Sequence, residues 1–79
     1  MISNLENLDE CFAKVVGHNI RRLRENARLS RHDLARILSI SYQQLYKYER
    51  GQNRISAVNL VYLKFHLDAD YNEFFKDLF

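Results

Sequence analysis

Four short polar residues, each followed three positions later by an acid or an amide, divide this chain into short helices: Ser30 with Asp33, Ser41 with Gln44, Ser56 with Asn59 and Asp70 with Glu73. A side-chain oxygen at such a site accepts from the free N–H groups of a helix's first turn. The residue three along can return a bond to the cap's own N–H, so each pair marks a helix start. The first two pairs read as capping boxes and the Ser56 pair as a weaker one. Behind each cap the apolar residues recur at helical period: Leu34, Ala35 and Leu38; Leu45 and Tyr48; Leu60, Leu63 and Leu67; Tyr71, Phe74, Phe75 and Leu78. Upstream, Ile20, Leu23 and Ala27 predict a helix ending near residues 28–30, and Leu5, Leu8, Phe12 and Val15 a further helix or extension before it. The chain has no proline and two glycines, too little punctuation for an all-β sandwich or barrel. The expected fold class is all-α.

With 79 residues, the chain is long enough for one domain, and a domain of this size buries only about 60% of the surface its unfolded chain exposes. A deep cleft between two domains is excluded. The one cysteine, Cys11, can form no internal disulfide and has no cysteine partner for a zinc site. No apolar run exceeds the four residues from Leu60 to Leu63, against about 18 needed to cross a bilayer. Glu6, Asp9 and Glu10 stand where a signal peptide wants positive charge. No membrane partner is expected, and the expected location is the cytoplasm.

Charge is unevenly placed. The formal net charge is +2, but residues 14–54 hold ten basic and three acidic side chains, a local +7, while residues 1–13 carry −3 and residues 55–79 carry −2. A central cluster of Lys and Arg suits a polyanion, because each cation that neutralises a phosphate releases condensed counterions. An Arg-rich solvated surface would give the same numbers, so charge alone does not decide.

The spacing of the caps does more. From Ser30 to Ser41 there is room for an eight-residue helix and a turn of about three residues before the next helix, which is helix-turn-helix geometry. Within Gly17 to Phe75 the segments LSRHDLA, KYERG and NRIS stand in an order and spacing that resemble the five-helix DNA-binding domain of the Cro and phage-repressor family, also called the XRE family. The resemblance implies a repressor-like helix-turn-helix domain over residues 17–79, and the apolar spacing upstream places an N-terminal helical extension over residues 1–16 before it. Two positions depart from the family's pattern. Ser39 and Asp68 stand where the family commonly places glycine, and a left-handed backbone at Ser39 would cost about 1 kcal/mol.

Placing the third helix over 42–50 at 100° per residue, with Leu45 and Tyr48 inward, points Gln43, Lys47 and Arg50 directly outward. Tyr42 and Tyr46 flank that face. Gln can pair with adenine N6 and N7, and Lys can donate to guanine O6 and N7. Gln43 and Lys47 are therefore the expected base readers, and the resemblance adds Tyr42, which could equally pack on the second helix or meet a phosphate. Gln44 reads instead as the returning side chain of the Ser41 box. The resemblance also implies phosphate contacts from Arg31, at the first turn of the second helix, and from Asn53 and Arg54 in the loop after the third. Arg50 is a further candidate that could equally face solvent. Glu49 would be misplaced against phosphate, and the resemblance implies a structural ion pair with Arg24.

His18, His32 and His66 lack metal-binding or catalytic spacing, and there is no glycine-rich phosphate loop. No enzyme, metal or cofactor is expected. The expected function is a sequence-specific regulator of transcription, of repressor type, that binds double-stranded DNA. The competing reading is a protein-interaction module of the same fold, antitoxin-like or anti-repressor, without specific DNA binding. Phe74, Phe75, Leu78 and Phe79 extend the last apolar stripe to the final residue. They are expected to form a homodimer interface on a palindromic operator with half-sites about 34 Å apart, or else to cover the first helix.

Overall fold

The computed structural model describes residues 7–78, and these form five helices: α1 (Leu8–Asn26), α2 (Arg31–Leu38), α3 (Tyr42–Glu49), α4 (Ala57–Leu67) and α5 (Tyr71–Phe74). The fold is all-α. α1 packs on α3 and α5, and α2 packs on α3 and α4, so α3 is held from behind by two helices and presents its opposite side outward. The core is built from Val16, Ile20 and Leu23 of α1, Leu34, Ala35 and Leu38 of α2, Leu45 of α3, Leu60 and Leu63 of α4, and Phe74.

The caps work locally. Ser30 Oγ accepts from the Asp33 N–H at 3.0 Å while Asp33 Oδ2 accepts from the Ser30 N–H at 3.2 Å. Ser41 Oγ accepts from Gln44 N–H at 3.0 Å and Ser56 Oγ from Asn59 N–H at 3.1 Å. Only the forward half of the Ser41 box forms, and Gln44 is not the returning side chain expected of it. A neutral amide lacks the charge that draws Asp33 toward its helix N-terminus.

Helix ends are set by left-handed residues. Arg28, Ser39 and Asp68 have φ of 60°, 55° and 50°. After α2 the Ile40 and Ser39 N–H groups bond the Ala35 and Arg36 carbonyls at 3.0 and 3.1 Å, and α1 ends in the same doubly bonded way at Leu29 and Arg28. The turn of the helix-turn-helix is thus made by Ser39, in a conformation that glycine adopts without strain. Gly51 ends α3 with φ of 72°. Gly17 has a different use: a Cβ there would overlap the Tyr48 carbonyl oxygen, so its bare backbone lets α1 cross close to the end of α3.

Two expectations about the chain's ends are corrected. The boundary at 16/17 falls inside α1, which runs unbroken from Leu8, and Val16 and Gly17 are buried at the crossing with α3. In the C-terminal stripe, Phe74 and Leu78 are core rather than a free face, as the second of the two readings has it. Phe74 and Leu78 retain 0% and 1% of their surface, and Phe75 is half-buried with its ring 6.1 Å from that of Phe12. The physical reason is that α5 is a single turn. The chain leaves it through residues 75–77, with Asp77 at φ 69°, and folds Leu78 back inward. Buried Asn19 of α1 fixes that ending by donating from Nδ2 to the carbonyls of Phe74 and Lys76, each at 2.9 Å. Phe79 lies outside the described residues, as does Leu5 of the expected N-terminal helix.

Candidate nucleic-acid interface

α3 is amphipathic across its width. Leu45 is fully buried and Glu49 nearly so, while Gln43, Lys47 and Arg50 are exposed and Tyr46 is 37% exposed. Arg50 lies one residue beyond the helix, as its C-cap. Tyr42, Gln43, Tyr46, Lys47 and Gln52 line an open hollow with mainly apolar walls. Gln52 was not anticipated from the sequence. Its N–H bonds the Lys47 carbonyl at 2.9 Å in the turn after α3, a placement that helical periodicity does not encode.

The base of this face is an ion-pair network. Arg24 Nε donates to Glu49 Oε2 at 2.7 Å and Arg24 Nη2 to Glu49 Oε1 at 3.2 Å, a two-point contact between a planar fork and a carboxylate. Arg24 Nη1 also donates to the Leu29 carbonyl at 2.9 Å, tying in the turn between α1 and α2. A second cation reaches the same carboxylate: Arg31 Nε donates to Glu49 Oε1 at 2.8 Å. Glu49 therefore joins α1, α2 and α3. The Arg31 guanidinium is held above its ordinary pKa, first by this hydrogen bond and more weakly by Tyr42.

Arg31, expected at a phosphate, is thus committed at Nε to Glu49, with its side chain 23% exposed. Its guanidinium lies 5.3 Å from the Tyr46 ring centroid, and that of Arg50 lies 5.6 Å from the same ring. Both cations are thereby aligned beside the outer face of α3. Tyr42 stacks on His32 of α2, with centroids 4.4 Å apart. Arg54 is also partnered: its Nη2 meets Asp9 Oδ1 at 3.1 Å and the Asp9 carbonyl at 3.3 Å. Asn53 is exposed in the same loop. The network with Arg31 and the Asp9 contact with Arg54 were not legible in the sequence, since they link residues 18 and 45 positions apart.

Among the described residues no helix is long and apolar enough to cross a membrane. Arranged this way, the face offers amide and ammonium donors on α3, two aromatic rings beside them, and cations at its rim.

A family model described as a helix-turn-helix domain matches residues 15–70, a span that includes every residue of this face except Asp9. Similar proteins include a transcriptional regulator in the ATPase CF(0) region of Rhodospirillum rubrum, 43% identical over 63 residues that cover 80% of this chain and 58% of the relative. An HTH-type transcriptional regulator of Rickettsia prowazekii is 41% identical over 80% of this chain and 48% of its own length. One of Sinorhizobium fredii is 36% identical over 78% of this chain and 43% of its own. The chain spans about half the length of the relatives it matches. With five helices, a turn at Ser39 between α2 and α3 and a family match over 15–70, the chain belongs to the helix-turn-helix domain family, of the XRE-like kind.

Proposed function

We propose that this chain is a sequence-specific regulator of transcription that binds duplex DNA, acts in the cytoplasm and represses by occupying its site. In this reading α3 enters the major groove. The observation that carries it is the side-by-side exposure of Gln43 and Lys47 on the outer face of α3, within a segment of local charge +7. Gln43 pairs with adenine and Lys47 donates to guanine. The apolar hollow between Tyr42 and Tyr46 suits a thymine methyl group, the one apolar feature of a base edge in that groove.

Phosphates are held around the rim. Arg31 keeps its Nη donors for a phosphate beside α2 while its Nε stays on Glu49. Arg50, Asn53 and Arg54 follow the backbone on the far side, and Arg54 exchanges Asp9 for phosphate when DNA arrives. Two copies on a palindromic operator would double these contacts.

Selection of preferred duplexes from a random pool, followed by footprinting of the winner, tests this reading. A recovered consensus with protection of major-groove base edges is the expected result. An interaction module that had lost DNA binding would recover no consensus and would not bind random duplex even in low salt.

A further inference from the structure

The two tyrosines on the outer side of α3 are braced by their own chain. Tyr42 and Tyr46 stand four residues apart on the helix, so their rings share a face. The imidazole of His32, from α2, stacks on Tyr42 with ring centroids 4.4 Å apart and the planes 29° from parallel. The guanidinium groups of Arg31 and Arg50 lie 5.3 and 5.6 Å from the Tyr46 centroid. Both rings are thus fixed by neighbours, and the mainly apolar hollow they line with Gln43, Lys47 and Gln52 keeps its shape. His32 is exposed and adds nothing to the core. Its contact with Tyr42 serves the outer face alone.

Pyrimidines differ at two places in the major groove. At C4 thymine presents an acceptor oxygen and cytosine an amino donor, while at C5 thymine carries a methyl group and cytosine only hydrogen. A cytosine methylated at C5 therefore combines thymine's methyl with cytosine's hydrogen-bonding edge. The hollow is suited to C5: its rings offer apolar surface and a negative π face to methyl hydrogens, and neither depends on what stands at C4. Gln52 tolerates both bases as well, because its amide carries a donor and an acceptor and can turn either one to C4. In the proposed reading, Gln43 and Lys47 then distinguish the base pair through its purine. The methyl is left to the hollow.

We infer that the hollow between Tyr42 and Tyr46 senses a methyl group at pyrimidine C5 whichever base carries it, so that methylation of a cytosine seated there strengthens binding, and that His32 positions Tyr42 for this contact. The inference rests on the proposed reading of α3 and adds to it a response to chemical modification of the DNA. An unmethylated cytosine leaves the two rings beside a gap that offers water few partners. A methyl group fills the gap, and burying one carbon of that kind corresponds to about a fourfold gain in affinity. Removal of the His32 ring frees the Tyr42 ring to turn. The gain then falls although no group touching the base has been lost.

The experiment measures binding of the 79-residue chain by fluorescence anisotropy to a duplex selected from a random pool, with circular dichroism as the check on folding. Each thymine is replaced in turn by uracil and each cytosine by 5-methylcytosine. At the position that responds, thymine, uracil, cytosine and 5-methylcytosine are compared, each opposite its own partner. Thymine should bind about fourfold more tightly than uracil there, and 5-methylcytosine more tightly than cytosine by a similar factor. Tyr42→Ala and His32→Ala should bring both ratios close to one, whereas His32→Phe, which keeps a ring for the stack, should retain them. A selected duplex bound equally with and without its methyl groups would overturn the inference and leave base reading by Gln43 and Lys47 standing. A thymine preference with no matching response to 5-methylcytosine would overturn the sensing of methylation, and ratios that persist in Tyr42→Ala would place the contact elsewhere and overturn it too. Ratios lost in Tyr42→Ala but kept in His32→Ala would overturn the positioning role of His32. Recovery of no preferred duplex at all would overturn the proposed function and this inference together.

Discussion

Arg31 Nε lies 2.8 Å from Glu49 Oε1, so the cation at the start of α2 is anchored to a carboxylate at the end of α3. Glu49 is 6% exposed and also holds Arg24 through two hydrogen bonds. One acid thereby ties the two helices of the helix-turn-helix to each other and to α1. In the proposed reading, a cation held in this way needs little further ordering to meet a phosphate.

Glu49→Gln should therefore destabilise the fold by about 3 kcal/mol, the scale of a broken buried ion pair. Arg31→Met should cost less, since Arg31 is more exposed and Arg24 would still neutralise the acid. A double-mutant cycle between Arg24→Met and Glu49→Gln, read by urea unfolding, should give a coupling above the roughly 1 kcal/mol typical of exposed pairs. A smaller coupling would place this contact among the ordinary surface pairs.

Ser39 holds the turn between α2 and α3 with φ at 55°. Ser39→Gly should raise stability by about 1 kcal/mol and the melting temperature by roughly 4–8 °C. Asp68→Gly should give less, because Asp tolerates this region better than Ser. Thermal unfolding followed by circular dichroism provides both values, and an unchanged or lower melting temperature for Ser39→Gly would show that the serine side chain contributes a contact that offsets its backbone strain.

These two positions also show where the sequence was informative. The starts of α2, α3 and α4 were legible because a serine cap and the residue three along act within one turn. The outward direction of Gln43 and Lys47 followed from period alone. The fate of the C-terminal stripe was not legible: Phe74, Phe75 and Leu78 keep helical spacing in the sequence, but a backbone reversal at Asp77 turns Leu78 into the core. Asn19 and the Glu49 network depend on contacts between distant residues, which no local pattern records.

Acid should weaken the start of α2. The Asp33 carboxyl is held below its ordinary value, first by the Ser30 side chain and then by the Ser30 backbone N–H. A group whose folded pKa is depressed adds stability above its unfolded value, about 3.9 for Asp, and loses it as pH falls through the folded value. Stability measured from about pH 5 downward should therefore fall less steeply in Asp33→Asn than in the wild type. Superimposable profiles would remove Asp33 from the account of acid stability.

Asp9 Oδ1 holds Arg54 Nη2 at 3.1 Å, and in the proposed reading a phosphate takes its place. Asp9→Asn should tighten binding to all duplexes by a similar factor, most clearly at low salt, where charge effects are least screened. Filter binding or fluorescence anisotropy across a salt series would measure it. An effect confined to one base position would mean that Arg54 reads sequence rather than backbone.

Base reading by the outer face of α3, as proposed, is tested most directly by comparing Gln43→Ala and Lys47→Ala on a selected duplex and on random duplex at one salt concentration. Each variant should lose about 1–3 kcal/mol on the selected site and change little on random DNA, with unfolding curves unaltered because both side chains are exposed. Equal losses on both duplexes, or no loss on either, would contradict the assignment of α3 as the reading helix.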